Sequence, residues 1–361
     1  MNSNVIVLSA GGTGGHLFPA QALAGVLARR GRGVVVMTDT RFANYATAFP
    51  GAQIQTVPSA PLNAITAPFK IMAGIAIAFA KLLKLKPAAV VGFGGYPSVP
   101  VMLAASLARL PTAIIEQNAV VGRANRLVMN QVKVVAAAFP IARFAPHDKS
   151  KIVLTGNPLR PEVEALWGAP YDVPQLGGPL RLLVFGGSQG ARAMSEIVPA
   201  ALTRLPHDLK ARLSVVQQCR PEDMETVRQI YRNADIRCEL QTFFADLPQR
   251  MADSHLVIAR SGAGTVAELM AIGRPAILVP LPGALDDNQT PNADILARAE
   301  AGWRVAQAEL TPDSLAQMLT RIFAEPGDLV RRAVCAHAIA LPQAAEKLAD
   351  VVERLANRRA A

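Results

Sequence analysis

The sequence predicts an α/β protein of two doubly wound, parallel-sheet domains. Three observations carry that prediction. Both halves of the chain open on the same pattern, an apolar run, a glycine-rich turn and a helical stretch. Apolar runs of strand length then recur, separated by segments long enough for a helix, as in parallel sheets covered on both faces. The 361 residues, 51% of them hydrophobic, also suit two cores better than one or four.

Taken in order, Val5–Ala10 is the first strand, followed by Gly11-Gly12-Thr13-Gly14-Gly15-His16 and a helix over Leu17–Arg30. Gly33–Met37, Ala88–Gly92, Thr112–Ile115 and Val132–Ala137 read as further strands of the first half. Leu180–Phe185 opens the second half, with Gly186-Gly187-Ser188-Gln189-Gly190-Ala191-Arg192 and a helix to about Arg204 behind it. Leu213–Gln217, Leu256–Ala259 and Ala276–Pro280 continue that half, and the Pro- and Gly-rich stretch Gly156–Gly178 reads as the interdomain linker.

Composition narrows the function classes. No run approaches the ~18 uncharged apolar residues of a membrane span. Met1-Asn2-Ser3-Asn4 lacks the basic residues that open a secretory signal, so a cytoplasmic protein is expected. Cys219, Cys238 and Cys335 have neither disulfide-framework nor zinc-site spacing. The net charge of +10 is one-sided: residues 1–147 hold 13 Lys and Arg against Asp39 and Glu116 alone, a net of +11. Such a field attracts nucleic acid, an anionic membrane or a phosphorylated substrate. Nucleic acid is disfavoured, because no RRM, KH or helix-turn-helix signature accompanies the charge and aromatics are only 5%. The segment Pro61–Pro87 carries Lys70, Lys81, Lys84 and Lys86, no acid, and ten uncharged residues between the first two lysines. Two readings of it stay open, a face for an anionic bilayer surface and an ordinary core helix.

Glycine turns at the start of helices leave backbone amides free to hold an anion, with the helix dipole behind them. Gly11–Gly15 and Gly186–Gly190 both have that context, which favours phosphate gripped from two domains. The first loop is not GxGxxG, but Asp39 could serve as a ribose acid and keeps a nicotinamide-dependent oxidoreductase open. No Walker-type P-loop occurs. Arg260-Ser261-Gly262-Ala263-Gly264-Thr265-Val266-Ala267-Glu268 follows a strand and opens a helix. Its amides, with the Ser261 and Thr265 hydroxyls, suit a phosphate, and Glu268 suits ribose hydroxyls. Asp286-Asp287-Asn288-Gln289 and Asn292, after a later strand, are placed to hold sugar hydroxyls.

This ordered set, with Gly92-Phe93-Gly94-Gly95-Tyr96, Glu116-Gln117-Asn118 and Thr155-Gly156-Asn157-Pro158-Leu159-Arg160, resembles the signature motifs of the MurG-type transferase family over about residues 11–293. The resemblance implies a GT-B glycosyltransferase, two Rossmann-like domains facing across a cleft. The first would span 1–158, with a C-terminal helix of about 342–361 packing back on it, and the second 159–341. It implies transfer of N-acetylglucosamine from UDP-GlcNAc to undecaprenyl-pyrophosphoryl-MurNAc-pentapeptide in peptidoglycan synthesis. A GT-B transferase with another acceptor is the alternative. Carried over by position, Arg160, Ser188 and Phe244 would line the nucleotide site, and Ala263, Gly264, Thr265, Val266, Ala267 and Glu268 would take pyrophosphate and ribose. Gln289 and Asn288 would hold the sugar, with Asn118, Thr13, Gly14 and Gly15 approaching it from the first domain. His16 is the candidate base, or a donor beside an acceptor pyrophosphate. With no Asp-x-Asp motif, neither metal nor cofactor is expected, and helix ends with Arg160 would steady the departing UDP. The implied location is peripheral, on the cytoplasmic face of the inner membrane, among other cell-wall synthesis proteins.

Overall fold

The computed structural model describes residues 4–11, 14–40, 49–60, 67–186 and 192–357. The chain divides into two compact units, Met1–Pro161 with Leu341–Ala361, and Glu162–Ala340. In the first unit the strands are β1 Val5–Ser9, β2 Gly33–Thr38, β3 Gln53–Thr56, β4 Ala89–Gly92, β5 Thr112–Glu116, β6 Val134–Ala137 and β7 Ile152–Leu154. They form one sheet in the order β3-β2-β1-β4-β5-β6-β7, every described pairing parallel.

The continuous apolar run of β1 follows from burial on both faces. Ile6 and Leu8 point to a core shared with Leu23 and Leu27 of the helix Gly14–Arg29 and with Leu348 and Val352 of the helix Ala344–Asn357. Val7 points the other way, to Ala78 and Leu82 of the helix Ala67–Leu85 and Val101 and Met102 of the helix Ser98–Leu107. Alternate residues of one strand thus anchor two helical layers. The C-terminal helix is also tied electrostatically. Arg30 meets Glu346, Asp350 and Glu353 at 2.5, 2.7 and 2.8 Å, and Arg32 meets Glu353 at 2.9 Å. These pairs are partly exposed and individually weak, so the buried Leu348 and Val352 contribute more to docking.

The second unit holds β8 Leu180–Phe185, β9 Leu213–Gln218, β10 Arg237–Gln241, β11 Leu256–Ala259, β12 Ala276–Leu278 and β13 Gly302–Arg304. Their order is β10-β9-β8-β11-β12-β13, again with parallel pairings. In each sheet the strand order reverses once, at β1/β4 and at β8/β11. Loops leaving the carboxyl ends of those strands diverge there and open a crevice.

The crossing between the units falls within the stretch Gly156–Gly178, as expected for a linker, but most of that stretch is packed. The chain passes between units at Pro161 and Glu162, and the residues beyond fold onto the second unit. Arg274, fully buried, donates to the carbonyls of Ala169 and Pro170 at 3.1 and 2.8 Å and to that of Ala252. The Tyr171 hydroxyl donates to the His255 carbonyl at 2.8 Å. Helices account for much of the chain, but none among the described residues is long and apolar enough to cross a membrane.

Candidate active site

In the first unit the residues at the carboxyl edge of β1, β4 and β5 pack into one structure. His16 lies in the first turn of the helix Gly14–Arg29, directly after the β1 loop. Gly94 and Gly95, after β4, have φ of +83° and +72°, a region where residues with a Cβ are strained. A Cβ on Gly95 would stand 2.8 Å from the Gly11 carbonyl and 3.3 Å from His16 Cδ2, and one on Gly94 would stand 3.3 Å from His16 Cε1. Glycine is required there because the β4 loop lies directly on the imidazole and the β1 loop.

At the end of β5, Glu116 is buried and accepts four N–H donors. These are the Asn118 amide at 3.0 Å and side chain at 3.3 Å, the Gly122 amide at 2.9 Å and Asn125 Nδ2 at 2.9 Å. Gln117 Nε2 donates to the Phe93 carbonyl at 3.0 Å, which ties the β5 loop to the β4 loop. Burial pushes the His16 imidazole below its ordinary 6.5, while the Glu116 charge and polar contacts to Gln117 and Phe93 act against that shift. The ring is therefore neutral at neutral pH, able to accept a proton. Arg160, in the first unit, sets its guanidinium 4.8 Å from the centre of the Phe18 ring.

In the second unit, β11 runs through Arg260-Ser261-Gly262 into the helix Ala263–Ile272. The first amides of that helix have no intrahelical acceptor and point out along its dipole. Val266 is already engaged, its amide donating to the Gly262 carbonyl at 3.0 Å, and Val266 and Ala267 are buried. Ala263, Gly264 and Thr265 are thus the residues whose amides suit an anion. Glu268 is half-buried one turn on. The loop after β12 is stitched to this turn: Ser261 Oγ donates to the Gln289 carbonyl at 2.9 Å and Asn292 Nδ2 to the Ser261 carbonyl at 3.1 Å. Gln289 Oε1 accepts from the Leu281 amide at 3.0 Å, so its side-chain NH₂ is the end available to a ligand. On the other side Gln218 accepts from the Gly186 amide at 3.2 Å and donates to the Thr242 carbonyl at 3.1 Å, joining the loops after β8 and β10. Phe244 follows β10, buried under the Arg250 guanidinium at 4.5 Å.

Within the first unit the structure brings together Gly14, Gly15, His16 and Asn118. At the carboxyl edge of the second sheet it places Phe244, Ala263–Glu268, Asn288 and Gln289. Thr13 and Ser188 lie outside the described residues. Two expectations are corrected. The Ser261 hydroxyl is fully buried and committed to Gln289, so it is not a phosphate donor. Asp39 is buried and accepts from the Tyr96 hydroxyl at 2.9 Å, which removes the exposed ribose acid that a nicotinamide site needs. Reasoning from sequence gave Glu116 no role of its own, nor Asn125. The signal was the acid closing an otherwise apolar strand, where only a set of donors makes a buried carboxylate tolerable. Among the described residues, no three His, Cys, Asp or Glu side chains gather as a metal-binding group.

Residues 6–137 match the glycosyltransferase family 28 N-terminal domain and residues 181–355 its C-terminal domain. A Rhodopseudomonas palustris protein named UDP-N-acetylglucosamine--N-acetylmuramyl-(pentapeptide) pyrophosphoryl-undecaprenol N-acetylglucosamine transferase is 52% identical over 98% of both chains. The chain belongs to the MurG family. A Phenylobacterium zucineum relative of the same name is 48% identical over 98% of this chain and 99% of its own. The crystal structure of Acinetobacter baumannii MurG superposes with a TM-score of 0.81 at 33% identity, covering 97% of this chain and 99% of that one. The calicheamicin glycosyltransferase CalG4 shares the fold alone, at 18% identity and a TM-score of 0.69 over the full length of both chains. The two parallel-sheet α/β units are thus those of a GT-B enzyme, and MurG-family membership makes the chain a glycosyltransferase.

The glycine strap yields a direct check. Gly95→Ala combines a left-handed φ with a backbone clash, and is expected to destabilise the first unit by about 2 kcal/mol or more. Urea unfolding of the variant against the parent measures it, with Gly177→Ala, at φ +77° but in open space, isolating the φ contribution.

Proposed function

We propose that this enzyme transfers N-acetylglucosamine from UDP-GlcNAc to the C4 hydroxyl of MurNAc in undecaprenyl-pyrophosphoryl-MurNAc-pentapeptide, with inversion at the sugar C1. One observation carries the reading. The chain matches transferases of that name over 98% of its length, and its motif residues lie at the carboxyl edge of each sheet.

In the reaction the bond from C1 to the UDP oxygen breaks and a bond from C1 to the acceptor oxygen forms. The acceptor hydroxyl proton passes to the neutral His16 imidazole, and UDP leaves as the anion. The amides of Ala263, Gly264 and Thr265 meet the charge that grows on the diphosphate, fixed dipoles that need no reorganisation during the step. Arg160 adds a cation to the leaving group, Glu268 accepts from the ribose hydroxyls, and Phe244 presents main-chain groups to uracil. Gln289 donates to sugar hydroxyls with Asn288 beside it, and Asn118 and the Gly14-Gly15 turn approach the sugar from the acceptor side. Val266 and Ala267 contribute by forming the helix rather than by touching the ligand.

The enzyme works, on this reading, as a peripheral protein at the inner face of the membrane. The helix Ala67–Leu85 supports it. Gly74, Ala78 and Leu82 face the core, while the stripe Phe69, Met72, Ala73, Ala76, Ala80 and Leu83 faces outward, Phe69 82% and Met72 70% exposed. A contiguous apolar face of this kind on a soluble protein marks an interaction surface. Lys70, Lys84 and Lys86 are exposed around it. Lys81 is the exception, its ammonium donating to the Thr56 carbonyl at 2.8 Å.

Three outcomes are expected. In a transfer assay with UDP-GlcNAc and a short-chain lipid-linked acceptor, Glu268→Ala raises the donor KM roughly tenfold with a smaller change in kcat; collapsed kcat at unchanged KM would refute the ribose role. His16→Ala lowers kcat by roughly 10²-fold or more. Because the His16 pKa is lowered, kcat/KM holds as pH falls to 6.5 and drops only below it, through the folded-state value; a limb above 6.5 would contradict a buried neutral base. Met72→Glu and the Lys70/Lys84/Lys86→Glu triple variant each weaken binding to phosphatidylglycerol vesicles, the second in a salt-dependent way.

A further inference from the structure

The first unit contains a second anion-binding geometry on the side of the sheet away from the residues described above. A pocket of about 580 Å³ opens where the chain enters β5, β6 and β7 and where the C-terminal helix passes over those strand ends. Its wall carries four cations, Arg109, Lys133, Lys151 and Arg354, with no carboxylate, beside apolar Leu110 and Leu355.

The cations outnumber the acids around them, and Arg354 stands in the last turn of the helix Ala344–Asn357. Among the described residues, Arg109, Lys133 and Arg354 make no ion pair, and Lys151 Nζ donates to the neutral Asn130 carbonyl at 2.9 Å. Asp350, one turn before Arg354 and its natural helical partner, is bound to Arg30, as are Glu346 and Glu353. Asp148 accepts from the Ser150 amide and hydroxyl at 3.0 and 2.5 Å and is an acid that faces the Lys151 charge. Arg109 holds φ at +52° in the turn that ends the helix Ser98–Leu107, its amide donating to the Ser106 carbonyl at 3.0 Å.

Arg109, Lys133 and Arg354 are exposed, so water and salt screen their mutual repulsion, but together with Lys151 they make a local excess of positive charge. A single carboxylate carries one negative charge against four positive ones. A phosphate or diphosphate group offers several acceptors in three dimensions and suits the planar forks of two arginines. A nucleic acid duplex does not enter a pocket of this size. We propose that this pocket is a second anion site of the enzyme, taking a phosphate or diphosphate group carried by a lipid headgroup or by a small soluble molecule. None of its residues belongs to the transferase site, so its failure would leave that reading intact.

The test uses the full-length enzyme with saturating UDP present, so that the donor site is filled. Inorganic pyrophosphate is titrated calorimetrically, and phosphatidylglycerol vesicles are compared with phosphatidylcholine vesicles by co-sedimentation. Arg354→Glu is expected to weaken binding roughly tenfold and Arg109→Gly about threefold. Arg109→Gly should keep or raise the Tm, since glycine suits that φ, which separates loss of the site from loss of the fold. Arg321→Glu, an exposed charge reversal on the second unit, is the control and should change neither affinity. Pyrophosphate binding lost in the pocket variants identifies a soluble phosphate ligand; loss confined to vesicles identifies a headgroup. If Arg354→Glu and Arg109→Gly bind both probes as the parent and the control do, the proposal is wrong.

Discussion

A buried carboxylate fixes the first unit's chemistry. Glu116 ends β5 out of contact with water, and it is tolerable there because four N–H groups converge on it. A hydrogen bond to a charged group is worth roughly 1.5–3 kcal/mol, and losing the acceptor would leave several buried donors unsatisfied. Through these bonds Glu116 sets the position of Asn118, the entry to the helix Arg123–Val128 at Gly122, and the Asn125 amide, which also reaches the Ile115 carbonyl at 2.9 Å. The same charge faces His16. Burial outweighs it, so the imidazole stays neutral at rest; on the proposal that His16 is the base, the same charge would steady the imidazolium.

The second unit solves a different problem with different means. A diphosphate carries its own charge, and a matching buried cation would have to be desolvated in its absence. Arg260, the cation nearest the turn, is instead buried and spent on the Val279 and Pro280 carbonyls at 3.1 Å each and on the Gln307 side chain. Its role is to hold the β12 loop against the helix entrance. On the proposed reading, attraction for the anion falls to the first amides and the dipole of the helix Ala263–Ile272. Ser261, Gln289 and Asn292 keep the helix start in register with the loop after β12.

The sequence displayed the central strands plainly because their two buried faces leave no room for polar residues. The edge strands were hidden for the opposite reason. Gln53–Thr56 and Arg237–Gln241 have much of their surface in solvent and alternate with polar side chains, and Gly302–Arg304 is too short to show a period. The glycine turns were legible as anion sites, but not the contacts that make them rigid. That the Ser261 hydroxyl would be used internally depends on Gln289, 28 residues further on, and no local pattern encodes such a meeting. The Pro- and Gly-rich stretch after Gly156 marked the crossing between units, but not that its carbonyls find a buried partner in Arg274, more than a hundred residues away.

Topology also links the exposed apolar helix to the chemistry. The helix Ala67–Leu85 connects β3 to β4, two strands that run in the same direction. A crossover between parallel strands must start at their carboxyl edge and return to their amino edge. The N-terminal end of this helix, with exposed Phe69 and Met72, therefore lies at the same edge of the sheet as His16, Gly94 and Gly95. The lysines at its other end lie toward the opposite edge. Leaving Phe69 and Met72 in water forgoes roughly 25 cal/mol for each Å² of apolar surface that a lipid phase would cover. An acceptor whose hydrocarbon tail stays in the bilayer delivers its sugar at the headgroup level. On the proposed peripheral reading, a unit that rests its helix start on that surface would bring the imidazole to the sugar without pulling the tail into water.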